Sequence, residues 1–285
     1  MKFPVKLNAS GWPRWICLLF PSAVDARQLI DDTPNAEQFT RAMRDLRFGV
    51  VFKTTAVRRH AATHDALASL SFDAPPVVLD VGSSDGSTSL ELIKRIRFET
   101  YYVTDLHLEL RYTRVGGRTL FYDDNDACIL VVGNRLIVYP DLGGALPPFG
   151  WIARKTHRDL PADPTIDGQV LLVTPALAVR NNDDENVVVT RYDVLRPWVG
   201  TPADLIIAGN ILNRGYFDDH ALTTAARNLL DALNPGGRLA IIDNRGKSER
   251  STIFREVDGE LRVEVEIDGG SEVAGLVARA HFGGR

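Results

Sequence analysis

The chain has 285 residues, enough for one large domain or for one domain with additions. Its apolar fraction of 45% and charged fraction of 25% are ordinary for a globular protein. A net charge of −4 argues against broad nucleic-acid affinity, and Cys17 and Cys128 lack the spacing of a metal or redox site. We therefore expect no nucleic-acid partner, no metal, and reduced thiols in a cytoplasmic protein.

The amino-terminal arm contains a short apolar run from Trp15 to Phe20. The run is too short for the hydrophobic region of a signal peptide and far below the roughly 20 residues of a spanning helix. We expect the arm to pack on its own domain or on a second subunit as a homodimer, and peripheral membrane contact is the alternative.

Helices are predicted over 36–46 and 54–70, and Pro75-Pro76 ends this region, so residues 1–75 form an amino-terminal arm with helices. His60 and His64 lie four residues apart on the second helix, as two metal ligands would. No third ligand lies near them in the sequence, so we interpret both as packed or solvated side chains.

Residues 77–86 are the most informative stretch of the chain. The run from Val77 to Val81, with Asp80 inside it, predicts a buried parallel strand. Gly82-Ser83-Ser84-Asp85-Gly86 predicts a tight turn into a helix. Such a turn brings backbone N–H groups and a carboxylate to the carboxyl end of a strand, where open α/β sheets bind nucleotide-like ligands.

Further apolar runs follow, and the first two of them end in an acid. They predict strands over 100–105, 186–193, 203–212, 237–243, 254–257 and 261–267. A helix is predicted over 218–233, and the glycines of Pro235-Gly236-Gly237 separate it from the next strand.

These pieces, in this order, resemble the class I S-adenosylmethionine-dependent methyltransferases. Residues 77–86 resemble the first motif of the family, with Ser84 in place of its middle glycine. The resemblance implies an α/β fold with a doubly wound, mostly parallel seven-stranded sheet, helices on both faces and an antiparallel last strand. It implies a methyltransferase domain over 76–285, with residues 1–75 as a lid, and identifies no subfamily.

The resemblance also implies S-adenosyl-L-methionine as the cofactor. Asp105 would accept both ribose hydroxyls, because two carboxylate oxygens match two adjacent donors. Asp193 would face the adenine amino group, and Asn210 would contact the cofactor or the substrate. The complete predicted cofactor set is Asp80, Gly82, Ser83, Ser84, Gly86, Asp105, Leu106, Asp193, Val194 and Asn210.

Residues 107–167 depart from the family pattern, because strand-like runs replace the helix expected after Asp105. Runs at 119–122, 128–132 and 135–139 predict a β-rich insertion. Loops at this edge of an open sheet surround the ligand, so we interpret the insertion as a substrate cap, with a dimerisation or stabilising flap as the alternative. The predicted substrate pocket is Asn213, Arg214, Tyr216, Trp151 and His157.

The predicted activity is methyl transfer to O, N or C of a small-molecule acceptor, mainly by alignment of the acceptor with the sulfonium methyl. No catalytic residue is predicted, since a general base is needed only when the nucleophile is protonated at rest. One alternative is a catalytically silent cofactor-binding scaffold or partner subunit. Another is an aminopropyl transferase on the same fold, which the lack of an acidic run suited to a polyamine disfavours.

Overall fold

The computed structural model describes residues 3–31, 35–49, 51–53, 59–142, 149–245 and 248–282. Its strands are β1 (Val5–Asn8), β2 (Ser22–Ala23), β3 (Arg47–Phe48), β4 (Val51–Phe52), β5 (Val77–Val81), β6 (Thr100–Asp105), β7 (Glu109–Val115), β8 (Arg118–Tyr122), β9 (Cys128–Val132), β10 (Leu136–Val138), β11 (Gly168–Leu171), β12 (Val187–Arg191), β13 (Ala203–Gly209), β14 (Leu233–Arg245), β15 (Ser248–Val257) and β16 (Glu260–Ile267). Its α-helices are α1 (Arg14–Leu19), α2 (Ala36–Asp45), α3 (Ala61–Ser69), α4 (Ser87–Ile93), α5 (Phe149–Arg158), α6 (Pro175–Asp183), α7 (Asp219–Asp231) and α8 (Ala274–Phe282). The beginning of the helix predicted over 54–70 falls partly outside the described residues.

The chain divides into two compact units, each built from two stretches of sequence. The first unit consists of the described residues of Met1–Thr55 and His107–Ala176, and the second of Ala56–Leu106 and Leu177–Arg285. Residues 1–75 and the insertion 107–167, predicted as separate additions, share one sheet, because β1 and β2 pair in the same sheet as strands of that insertion.

The first unit is built on a seven-stranded sheet in the order β11-β7-β8-β9-β10-β1-β2. Its central strands are buried on both faces, because alternate side chains point to opposite sides of a strand. Phe121 of β8 packs in one apolar cluster with residues of α2, such as Met43. The neighbouring Leu120 and Tyr122 pack in another cluster, with Ala153 of α5. Helices therefore cover both faces of this sheet.

The second unit is an α/β structure on a mixed seven-stranded sheet in the order β12-β6-β5-β13-β14-β15-β16. The strands from β12 to β14 are parallel, and β15 is antiparallel to β14. The prediction of an antiparallel last strand needs a correction, because β16 is antiparallel to β15 and so runs in the direction of the parallel strands. Short connections explain this meander, since a parallel crossover needs a dozen or more residues.

Helix α7 attaches to the parallel part of the second sheet. Asp218 caps the helix by accepting a hydrogen bond from the backbone N–H of Ala221 at 2.8 Å. Leu222, Ala225 and Leu229 are buried on one face and pack in the main core cluster of this unit. The helix lies within the range predicted from sequence.

Helix α1 is the most exposed apolar segment that the structure describes. Trp15 is 64% exposed, Leu18 79% and Leu19 69%, and Phe20 continues the same surface. Among the described residues, no helix has the length and apolar character needed to cross a membrane.

Candidate functional site

The strand order of the second unit locates a ligand crevice. From β5 the chain proceeds to β6 and β12 on one side, and then crosses to β13 on the other. Open α/β sheets bind ligands at such a reversal, outside the carboxyl ends of the strands. Val81 at the end of β5 lies opposite Thr104 of β6 and Ala208 of β13. The residues that follow these strands therefore meet at one edge.

The turn after β5 adopts a backbone conformation that glycine favours. Gly82, Ser84 and Gly86 have φ angles of 71°, 60° and 70°. A Cβ atom on Gly82 would lie 3.0 Å from the side chain of Ile211, and one on Gly86 would overlap Cδ2 of Leu177. Serine at position 84 takes the left-handed conformation at a cost of roughly 1–2 kcal/mol, a cost that glycine does not have.

Asp105 joins the end of β6 to this turn. Its Oδ2 accepts a hydrogen bond from the backbone N–H of Ser84 at 2.8 Å, and Ser83 N–H donates to the carbonyl of Thr104 at 2.9 Å. A carboxylate offers about four acceptor positions, so Asp105 can accept hydroxyl donors while it keeps the Ser84 bond. The adjacent Leu106 is half-buried, and its carbonyl accepts from Nε of Arg191 at 3.1 Å.

Asp80 is buried too deeply to contact a ligand directly. Its side chain is buried, and Oδ2 accepts hydrogen bonds from the hydroxyls of Ser89 at 2.7 Å and Tyr101 at 3.0 Å. Burial raises the pKa of Asp80 to about 6, against the opposing effect of these two hydrogen bonds. The carboxylate therefore ties β5 to α4 and β6, directly behind the turn.

Asp193 and Val194 follow β12. Oδ1 of Asp193 accepts from the backbone N–H of Leu195 at 2.9 Å, so the side chain stabilises the turn after the strand. Val194 is buried in the core, and its carbonyl accepts from Nδ2 of Asn228 at 2.9 Å. Asp193 is half-buried at the strand end, whereas Val194 is buried.

Asn210 directly follows β13 and has a left-handed conformation, with φ of 58°. Asparagine tolerates this conformation better than most residues. Its Oδ1 accepts from the backbone N–H of Asn244 at 2.7 Å, and its Nδ2 lies 3.4 Å from Nε2 of His60. The Asn210 amide is thus engaged by the protein itself.

His60 is packed at the end of β13, as one of the two sequence interpretations expected. Its ring is buried, its Nδ1 lies 3.4 Å from Nδ2 of Asn244, and a Cβ on Gly209 would lie 3.2 Å from its Nε2. Burial, with smaller effects of the neighbouring His64 and Arg59, lowers the pKa of His60 to about 3, so the ring is neutral near pH 7. Asn244 lies 184 residues from His60 in the sequence, so the spacing of His60 and His64 could not indicate this contact.

The loop after β13 contains three predicted pocket residues. Asn213 donates from Nδ2 to the carbonyl of Asn210 at 2.9 Å, and its Oδ1 accepts from Gly215 N–H at 2.8 Å. The guanidinium of Arg214 pairs with Asp219, at the start of α7. Tyr216 is 40% exposed.

Trp151 and His157 belong to the first unit, so the predicted substrate pocket is divided between the two units. Both lie on α5, where Trp151 is 59% exposed. His157 lines a cavity of about 590 Å³ together with Tyr122 and Ile166, whereas Trp151 is absent from its lining among the described residues.

No protein-family model and no curated protein matches the chain. Among solved structures, it is similar to an O-methyltransferase family protein from Burkholderia thailandensis, with 15% identity and a TM-score of 0.36, over 75% of this chain and 43% of that one. It is similar to the N-methyltransferase NodS from Bradyrhizobium japonicum WM9 in complex with S-adenosyl-L-homocysteine, with 17% identity and a TM-score of 0.35, over 77% and 70% of the chains. It is also similar to the 1,6-didemethyltoxoflavin-N1-methyltransferase of B. thailandensis, with 14% identity and a TM-score of 0.37, over 78% and 65%.

The structures that the chain resembles are thus methyltransferases of more than one kind, and they single out no subfamily. The chain spans less than half the length of the first of them. Because these identities and TM-scores are low, the functional proposal rests on the residues at the strand ends.

Proposed function

We propose that the second unit binds S-adenosylmethionine at the carboxyl ends of β5, β6, β12 and β13, and that the protein transfers its methyl group to a small-molecule acceptor. The observation that carries the proposal is the left-handed turn from Gly82 to Gly86, joined through the Ser84 N–H to the carboxylate of Asp105. Both lie where the strand order reverses, and this is where a nucleoside ligand binds in such sheets.

The residues at the strand ends fit this cofactor. Asp105 would hold the ribose, Asp193 would face the adenine, and Gly82, Ser83 and Gly86 would line the site with backbone. When bound, the cofactor supplies an activated methyl group on a sulfonium.

Asp80 and Asn210 support the site indirectly in this proposal. Asp80 would hold the turn through Ser89 and Tyr101, and Asn210 would hold His60 and Asn244 at the end of β13. The chain itself has to align the acceptor with the methyl group and exclude water.

We also propose that residues 107–167 contribute to acceptor selection. The cavity beside His157 supports this role, because its volume lies within the range of small-molecule pockets. A homodimer through α1 is a separate proposal that the exposed Trp15 and Leu18 support, with membrane contact as its alternative.

Calorimetric titration with S-adenosylhomocysteine tests the cofactor assignment. We expect the folded protein to bind it, and we expect Asp105→Ala to weaken binding at least tenfold. The variant removes two hydrogen bonds to a charged group, each worth about 1.5–3 kcal/mol. Asp105→Asn, which keeps an acceptor for the Ser84 N–H, separates loss of the ribose contacts from loss of the turn.

The matched control is Asp231→Ala, an exposed acid at the end of α7, which should bind as the wild type does. If well-folded protein gives no heat of binding and no thermal shift with S-adenosylmethionine or S-adenosylhomocysteine, the cofactor assignment is refuted. Transfer of a labelled methyl group to members of a metabolite panel then distinguishes an enzyme from a silent cofactor-binding scaffold.

A further inference from the structure

The cavity of about 590 Å³ in the first unit is built on three adjacent strands. Arg111 of β7 lies opposite Tyr122 of β8, and Tyr122 lies opposite Cys128 of β9. Directly opposite residues share one face of a sheet, so these three lining side chains form the floor of the cavity. His157 of α5 and the segment 160–166 supply the wall.

The floor of this cavity holds a buried hydroxyl that the protein does not satisfy. Tyr122 is 3% exposed, and no described residue lies within hydrogen-bond distance of its hydroxyl. Buried polar groups nearly always have a partner, because leaving one unpaired is costly. Burial, with a smaller effect of Cys128, raises the pKa of Tyr122 to about 12, so the hydroxyl keeps its proton at neutral pH. The floor can therefore donate a hydrogen bond to an oxygen of a ligand.

The lining of the cavity carries an excess of negative charge. Of its three carboxylates, Asp126 pairs with Arg111 at 2.7 Å. Asp141 pairs with Arg47 at 2.5 Å. The third, Asp163, is exposed and has no ion-pair or hydrogen-bond partner among the described residues. Outside the lining lie the basic residues of α5: Arg154, Lys155 and Arg158. A site with an unpaired carboxylate favours a cation and disfavours an anion.

We propose that this cavity binds an organic amine that also bears a hydroxyl group. The ammonium group pairs with Asp163, and the hydroxyl oxygen accepts a hydrogen bond from Tyr122. The apolar body between them packs on the wall, where Leu160, Pro161 and Ile166 lie. This inference names a ligand class for the role in acceptor selection proposed for residues 107–167. Calling the amine the methyl acceptor rests on the proposed function, whereas its binding does not.

Calorimetry on the full chain, without any cofactor, tests the binding. The probes are tyramine, serotonin and aminohexanol. Each is compared with its N-acetyl form, which lacks the charge, and with phenethylamine, tryptamine or hexylamine, which lacks the hydroxyl. We expect at least one probe to bind about three or more times tighter than both of its analogues. The factor is modest, because an exposed ion pair and a hydrogen bond between neutral groups each contribute little in water.

Two variants separate the two contacts. Asp163→Asn should remove the preference for the probe over its N-acetyl form and keep the preference for the hydroxyl. Asp31→Asn, at an exposed acid of the first unit outside the cavity lining, is the matched charge control and should change neither preference. Tyr122→Phe should remove the preference for the hydroxyl and keep the preference for the charge.

Tyr122→Phe has a second readout that needs no ligand. Because the hydroxyl has no protein partner, the first unit of this variant should unfold at a urea midpoint no lower than that of the wild type. Tyr139→Phe is the matched control, since the Tyr139 hydroxyl donates to the carbonyl of Asp45 at 2.8 Å. This control should lower the midpoint and bind the probe as the wild type does.

Four results would each overturn the proposal. The first is that no probe binds tighter than both of its analogues. The others are an unchanged charge preference in Asp163→Asn, an unchanged hydroxyl preference in Tyr122→Phe, and a lowered urea midpoint in Tyr122→Phe.

This proposal and the proposed function fail separately. If S-adenosylhomocysteine binds and the amines show no preference, the ligand class is wrong and the cofactor assignment stands. If the amines bind as expected and S-adenosylhomocysteine does not bind, the amine site stands and the methyltransferase function falls.

Discussion

The buried carboxylate of Asp80 makes the stability of the second unit depend on pH. Its pKa is about 6 in the folded protein, against 3.8 for an ordinary aspartate, because burial disfavours the charged form. Since the folded pKa is the higher one, the favourable contribution of the protonated group is fully present below pH 3.8. It is lost as pH rises through about 6.

Asp80→Asn removes this ionisation and keeps the shape of the side chain and one acceptor oxygen. A shift of about two pKa units corresponds to about 3 kcal/mol. We therefore expect the variant to be more stable than the wild type by up to about 3 kcal/mol at pH 8. The difference should shrink toward zero at pH 4, where the wild-type carboxyl is protonated.

Urea unfolding at pH 4, 6 and 8 measures the free energy of unfolding of both proteins. Trp198 reports on the second unit when Trp12, Trp15 and Trp151, all in the first unit, are replaced by phenylalanine in both proteins. A stability difference that is the same at every pH, or a variant less stable at pH 8, would refute the assignment of a buried and destabilising charge to Asp80.

Two further predictions test other parts of the structure. Gly86→Ala should destabilise the second unit by about 2–4 kcal/mol, because the new Cβ adds left-handed strain and overlaps Leu177. Gly236→Ala is the control: its φ is 78° and the space around it is open, so it should show only the strain. If urea unfolding shows the same loss of unfolding free energy for both glycine variants, a steric overlap with Leu177 is contradicted. At concentrations where the protein is monomeric, replacing Trp15, Leu18 and Leu19 together by serine should change the unfolding free energy of the first unit by no more than about 1.5 kcal/mol, because each exposed position contributes about 0.5 kcal/mol or less. The same variant should lower self-association in sedimentation velocity, and a wild type that stays monomeric would contradict a dimer through α1.

Local patterns in the sequence determine much of the second unit. The apolar run from Val77 to Val81 forms β5, and the glycines at 82 and 86 take the positive φ angles that a tight turn after a strand requires. Asp105 ends β6, and Asp218 caps α7. Such features can be predicted because periodicity, turn residues and caps act between neighbours a few residues apart.

The tertiary structure alone decided which distant segments meet. Val5 pairs with Val138, which joins the amino-terminal arm and the strands after β6 in one sheet. His60 contacts Asn244, and Asp80 turns to Ser89 and Tyr101. Strand pairing and the burial of a polar group depend on partners far along the chain, and those partners leave no local signature. The sequence by itself therefore determines the turn and the acids of the proposed site, while packing decides which of these side chains remain at its surface.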